Sequence, residues 1–98
     1  MFERDFVGFL PDDFLDLYLD AMLRRVAEHA PYDSNCHAIV EASPRRGYNA
    51  RITVETSTGA FVGESTASDA KLALDLAEEH LFQRFAEWLK TRWDDKAA

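Results

Sequence analysis

Cysteine occurs once, at Cys36, so an internal disulfide is excluded and no thiolate cluster is available for a metal. No apolar run approaches the roughly 20 residues that a membrane-spanning helix needs, and no membrane partner is expected. No low-complexity segment or internal repeat interrupts the chain. Basic residues are scarce. Eleven Lys and Arg face eighteen Asp and Glu, for a formal charge of -7. That average field repels phosphate and weighs against non-specific nucleic-acid binding and anionic membranes, although it leaves room for a local basic patch. The opening "MFERDFVGF" carries Glu3 and Asp5, unlike a secretory signal. A cytoplasmic protein is expected.

What is present is a foldable composition, 98 residues of which 47% are hydrophobic. That is enough for one core but too little for a deep, walled cleft. The reading is a single domain over residues 1–93 with a frayed tail at 94–98. Residues 3–9, "ERDFVGF", predict a first strand ending near Gly8. Pro11, Asp12 and Asp13 form a helix-start signal. Leu15, Tyr18, Leu19, Met22 and Val26 then make one apolar stripe at helical spacing, which should stop before Pro31. From Cys36 the period changes to two. Cys36, Ala38, Val40 and Ala42 share one strand face, and Tyr48, Ala50, Ile52 and Val54 share another. "SPRRG" and "TSTG" are turns, and "AFVGEST" completes a three-strand meander. The last element, from about Ser68 to Trp93, is a helix with Ser68 or Thr66 as its cap. Its stripe is Ala70, Ala73, Leu74, Ala77, Leu81, Phe85 and Trp88. The order β-α-β-β-β-α predicts an α+β two-layer sandwich, with two helices on one face of a four-stranded sheet.

No reactive constellation emerges, and the chain is not expected to be an enzyme. His29, His37 and His80 lie on different elements, so no zinc spacing appears. Cys36 and His37 are strand neighbours that point to opposite faces and cannot work as a nucleophile and its base. "VGEST" and "SPRRG" each hold one glycine and lack the lysine of a phosphate-cradling loop. No catalytic residue, metal, cofactor or small-molecule substrate is expected. Asp75 sits off the apolar stripe of the last helix, four residues after Lys71, at ion-pairing distance along a helix.

The element order and one run of residues resemble the ribosome hibernation factors, also called ribosome-associated inhibitors or ribosomal subunit interface proteins. That family shows a strand with a glycine, an amphipathic helix, a three-strand meander and a motif of the type D-x-Y-x-A-I-D-x-x-x-x-x-L. Asp69, Ala73, Leu74, Asp75 and Leu81 fit the motif within "TASDAKLALDLAEEHL". Gly59 matches the turn glycine before the last strand, and Gly8 the glycine ending the first. The resemblance runs from about residue 4 to 93. It implies a domain that binds the small ribosomal subunit in the channel of messenger and transfer RNA, and blocks translation in resting or stressed cells. Lysines and arginines on the helices and neighbouring loops then contact RNA phosphate. This chain departs from the pattern at several points. Lys71 replaces the motif tyrosine, Glu87, Trp88 and Leu89 stand where basic or polar residues are expected, and Asp16 and Asp20 lie on the first helix.

Two readings of the surface follow. The candidate RNA contacts are Arg24, Arg25, Arg45, Arg46, Arg51, Arg84, Lys90 and Arg92, with Lys71 beside them. Arg45 and Arg46 stand out because a hairpin tip projects two guanidiniums clear of the helices' acids. The candidate protein contacts are Phe14, Leu17, Leu72, Leu76, Phe82, Trp88 and Trp93, with Leu89. All but Trp88 fall off the stripes, more of them than one sheet covers, and Trp88 joins Trp93 at the projecting end of the helix; the group points to a protein partner or a homodimer.

Overall fold

The computed structural model describes residues 2–31, 33–57 and 59–97, with the backbone alone over 91–97. The elements are β1 (Phe2–Val7), α1 (Asp13–His29), β2 (Asn35–Ser43), β3 (Gly47–Thr56), β4 (Gly59–Ala67) and α2 (Ala70–Ala97). The sheet order is β1-β2-β3-β4, with β1 parallel to β2 and the other pairs antiparallel. This is the expected α+β sandwich.

The core follows the two periods read from the sequence. Cys36, Ala38 and Val40 on β2 and Ala50, Ile52 and Val54 on β3 are buried. They meet Leu15, Leu19, Met22, Leu23 and Val26 of α1 and Ala70, Ala73, Leu74, Ala77, Leu81 and Phe85 of α2. At about 25 cal/mol per Å2 of apolar surface removed from water, these side chains supply most of the drive to fold. Leu23 joins the core without having been read from the stripe, whereas Tyr18 is only half-buried. The opposite sheet face is open and acidic. It carries Glu3, Asp5, Glu41, Glu55 and Glu64 against His37 and Arg51, with an Asp5–His37 contact of 2.9 Å and an Arg51–Glu64 pair of 2.8 Å.

Three boundaries differ from the expectation. Strand β1 ends at Val7 and does not reach Phe9, because Gly8 turns the chain at φ +83°. The cap of α2 is Asp69, not Ser68 or Thr66. The Asp69 carboxylate accepts the Leu72 N–H at 2.8 Å, while Thr66 is still paired with Asn49 inside β4. Helix α2 also continues past Trp93 to Ala97. At 1.5 Å per residue it is roughly 42 Å long, and it gives the molecule an elongated 50 × 25 × 18 Å outline.

Candidate nucleic-acid interface

The β2–β3 hairpin is closed by Pro44, Arg45 and Arg46, between paired Ser43 and Gly47. Gly47 has φ +83°, the left-handed conformation that ends a three-residue hairpin loop. Arg45 and Arg46 are exposed, and among the described residues neither has an ion-pair partner. Because β1 runs parallel to β2, the end of β1, the start of α1 and this hairpin lie at one end of the sheet. Gly8 packs against Ala42 there, and Gly47 against Ala67 and Ser68.

Four of the other candidate cations are spent on neighbouring carboxylates. Arg24 Nε lies 3.1 Å from Asp20, which also takes Arg4 at 2.9 Å. Hydrogen bonds from Arg24 and then Arg4 hold the Asp20 carboxyl below its usual range. Arg25 forks onto both oxygens of Glu78 at 3.3 Å, tying α1 to α2. Arg51 pairs with Glu64 at 2.8 Å and Arg84 with Glu87 at 3.9 Å. Lys90 is exposed near the far end of α2. The side chain of Arg92 lies outside the described residues. Arg24 and Arg25 sit roughly 17 Å along α1 from the helix start, so the fold does not join them to Arg45 and Arg46 in one strip.

Asp75 has a structural task that the sequence reading missed. Tyr18 on α1 donates its hydroxyl to Asp75, and Lys71 pairs with the same carboxylate at 3.0 Å. The Lys71 ammonium also stands 4.8 Å from the Tyr18 ring centre. Burial, and then the Asp75 carboxylate, raise the Tyr18 phenol above its ordinary value, and Asp75 raises Lys71 in turn. The two motif aspartates thus divide the work, Asp69 starting α2 and Asp75 fastening it to α1. The expected Lys71–Asp75 pair is present. Tyr18 was legible only as a stripe residue, because its partner lies 57 positions away.

The apolar candidates separate into groups. Phe14 is 62% exposed and Leu17 70% exposed on the outer side of α1, and Leu10, which the sequence reading did not single out, is 94% exposed just before it. Leu72 and Leu89 are also exposed on α2. Leu76 and Phe82 are half-buried, with Phe82 edge-on to His29 at 5.0 Å. Trp88 is half-buried and edge-on to Phe61 at 5.8 Å. Together they line a shallow groove at the free edge of β4 with Ala60, Val62 and Arg84. The side chain of Trp93 lies outside the described residues. Among the described residues no three His, Cys, Asp or Glu side chains gather to hold a metal, and no helix is long and apolar enough to cross a membrane.

No family model matches the chain, and no curated protein matches its sequence. Solved structures do. The chain is similar to the N-terminal domain of Protein Y from Thermus thermophilus, with a TM-score of 0.72 at 16% identity, covering 88% of this chain and 94% of that one. It is also similar to a ribosomal subunit interface protein from Coxiella burnetii, with a TM-score of 0.75 at 15% identity, covering 92% of this chain and 99% of that one. At these identities the shared property is the fold, and the β-α-β-β-β-α sandwich of this chain is the fold of those two proteins.

Proposed function

We propose that this chain is a ribosome-associated domain that engages the small subunit of the ribosome, in the cytoplasm, and inhibits translation in resting or stressed cells. The observation that carries the reading is the likeness to a ribosomal subunit interface protein over 92% of the chain. On this reading Arg45 and Arg46 are the principal phosphate contacts, because they are exposed and carry charge that no acid among the described residues offsets. Arg24, Arg25, Arg51 and Arg84 contribute less, since phosphate must first displace Asp20, Glu78, Glu64 and Glu87. Lys90 and Arg92 add charge at the far end of α2.

The test compares arginines of the two kinds by cosedimentation with small subunits at low salt. Replacing Arg45 and Arg46 together by Glu is expected to abolish the complex, and Arg24→Gln to leave most of it. Equal losses from the two changes would contradict the assignment of the contacts.

A second reading has its own support in the exposed ridge of Leu10, Phe14 and Leu17. Here the chain keeps the fold and binds protein.

A further inference from the structure

Helix α1 is apolar on both sides. Its inner side, Leu15, Leu19, Met22, Leu23 and Val26, is buried. Positions 14, 17, 21, 24 and 28 follow the alternating spacing of three and four that draws one line along a helix, opposite the inner side. They are Phe14, Leu17, Ala21, Arg24 and Glu28, and all are exposed. Leu10 is exposed in the segment before the helix. The apolar residues occupy the N-terminal half of this ridge. The C-terminal half offers small Ala21 and then Arg24, whose side chain is 70% exposed. Asp13 is exposed at the N-terminal end and has no ion-pair partner among the described residues.

The stretch of this ridge from Asp13 to Arg24 complements itself when inverted. We infer that α1 packs antiparallel against α1 of a second copy, about a two-fold axis between Leu17 and Ala21. Leu17 of each copy then covers Ala21 of the other, where a methyl side chain allows close approach. Phe14 of each meets Arg24 of the other, a guanidinium against an aromatic face. Asp13 of each reaches the same Arg24, whose Nε stays on its own Asp20 at 3.1 Å while the rest of the 70% exposed side chain is open to the partner, so opposite charges meet twice. An antiparallel pair also sets the positive end of each helix dipole beside the negative end of its partner. In a parallel pair Asp13 would face Asp13 and Arg24 would face Arg24, which is why the charges select the inverted arrangement. The apolar ridge amounts to a few hundred Å2, less than the roughly 800 Å2 that each partner gives to a stable interface. The dimer is therefore weak and concentration-dependent. The inference deepens the protein-contact reading and does not depend on ribosome association.

Sedimentation velocity of the full chain, from micromolar to about 1 mM, tests it. The wild-type chain moves from the monomer position toward the dimer position as concentration rises. The variant Leu17→Glu, with its helical circular dichroism unchanged, stays at the monomer position. Asp13→Arg and Arg24→Asp each place like charges across the axis and weaken association several-fold. Mixing those two variants restores it as a heterodimer, because each then supplies the charge that the other lacks. A merely structural effect of either substitution would not be repaired by mixing. A wild-type chain that is monomeric throughout, or variants that gain nothing on mixing, overturns the inference, and neither result bears on cosedimentation with ribosomes.

Discussion

Gly63 is where α2 comes closest to the sheet. A Cβ built there would stand 2.2 Å from the Ala77 carbonyl oxygen and 2.7 Å from the Leu81 nitrogen, both backbone atoms of α2. Neither atom moves without moving the helix, so Gly63→Ala is expected to destabilise the fold by about 3 kcal/mol, read as a lowered midpoint in urea. An unchanged midpoint would mean that α2 does not sit on β4 as described. The sequence shows this glycine only as one residue of a strand, because the close approach belongs to a helix that begins seven residues later. Asp75 is a similar case. Its pairing with Lys71 follows from helical spacing, but the Tyr18 hydroxyl comes from another element. The raised Tyr18 phenol has a definite sign. The folded state favours the neutral phenol, so its contribution to stability is complete below the unfolded value and is lost as pH rises through the folded one. In an alkaline titration followed by phenolate absorbance, Tyr18 is expected to ionise as a phase above its ordinary value. Tyr18→Phe removes that phase, and Asp75→Asn moves it part of the way back toward 10.0, the ordinary tyrosine value. A Tyr18 phase that Asp75→Asn leaves in place would contradict the Tyr18–Asp75 bond.

Helix ends were less legible than helix faces. Both stripes and the alternation of β2 and β3 are visible in the residue order, because burial on one side imposes a period that survives any detail of packing. The ends depend on which single side chain reaches a free N–H. Before α2 the sequence offers Thr66 and Ser68 as caps, with Asp69 beside them. The length of β4 decides among them, since Thr66 is held in the ladder by Asn49. Asp69→Ala is expected to cost about 1 kcal/mol and to loosen the first turn of α2, seen as faster amide exchange at Leu72 and Ala73. Protection equal to wild type there would assign the cap to another residue. The β2–β3 hairpin was legible in full, since Pro44 and Gly47 frame the two arginines in the sequence itself.

The charge balance of the chain is explained by where its acids lie. Four cationic side chains of the candidate set, Arg24, Arg25, Arg51 and Arg84, each have a carboxylate within 4 Å, and the open sheet face is acidic. Among the described residues, the candidate cations with no carboxylate partner are Arg45 and Arg46 at the hairpin tip and Lys90 on α2. The sequence showed which residues are basic but not which are already paired, because Arg25 finds Glu78 across 53 positions and Arg51 finds Glu64 across two strands. With few unpaired cations among the described residues, the ribosome-binding proposal makes one quantitative demand. On the proposed function, binding to the ribosome is salt-sensitive but shallow. Each phosphate neutralised contributes roughly -0.7 (single strand) to -0.9 (duplex) to the slope of log affinity against log salt, so the two hairpin arginines, as the principal contacts, give a slope approaching roughly -2. Cosedimentation of the full chain with purified small subunits across a salt series measures this directly. The account predicts a complex at low salt that weakens with a slope near -2 as salt rises. Absence of any complex at the lowest salt would contradict it.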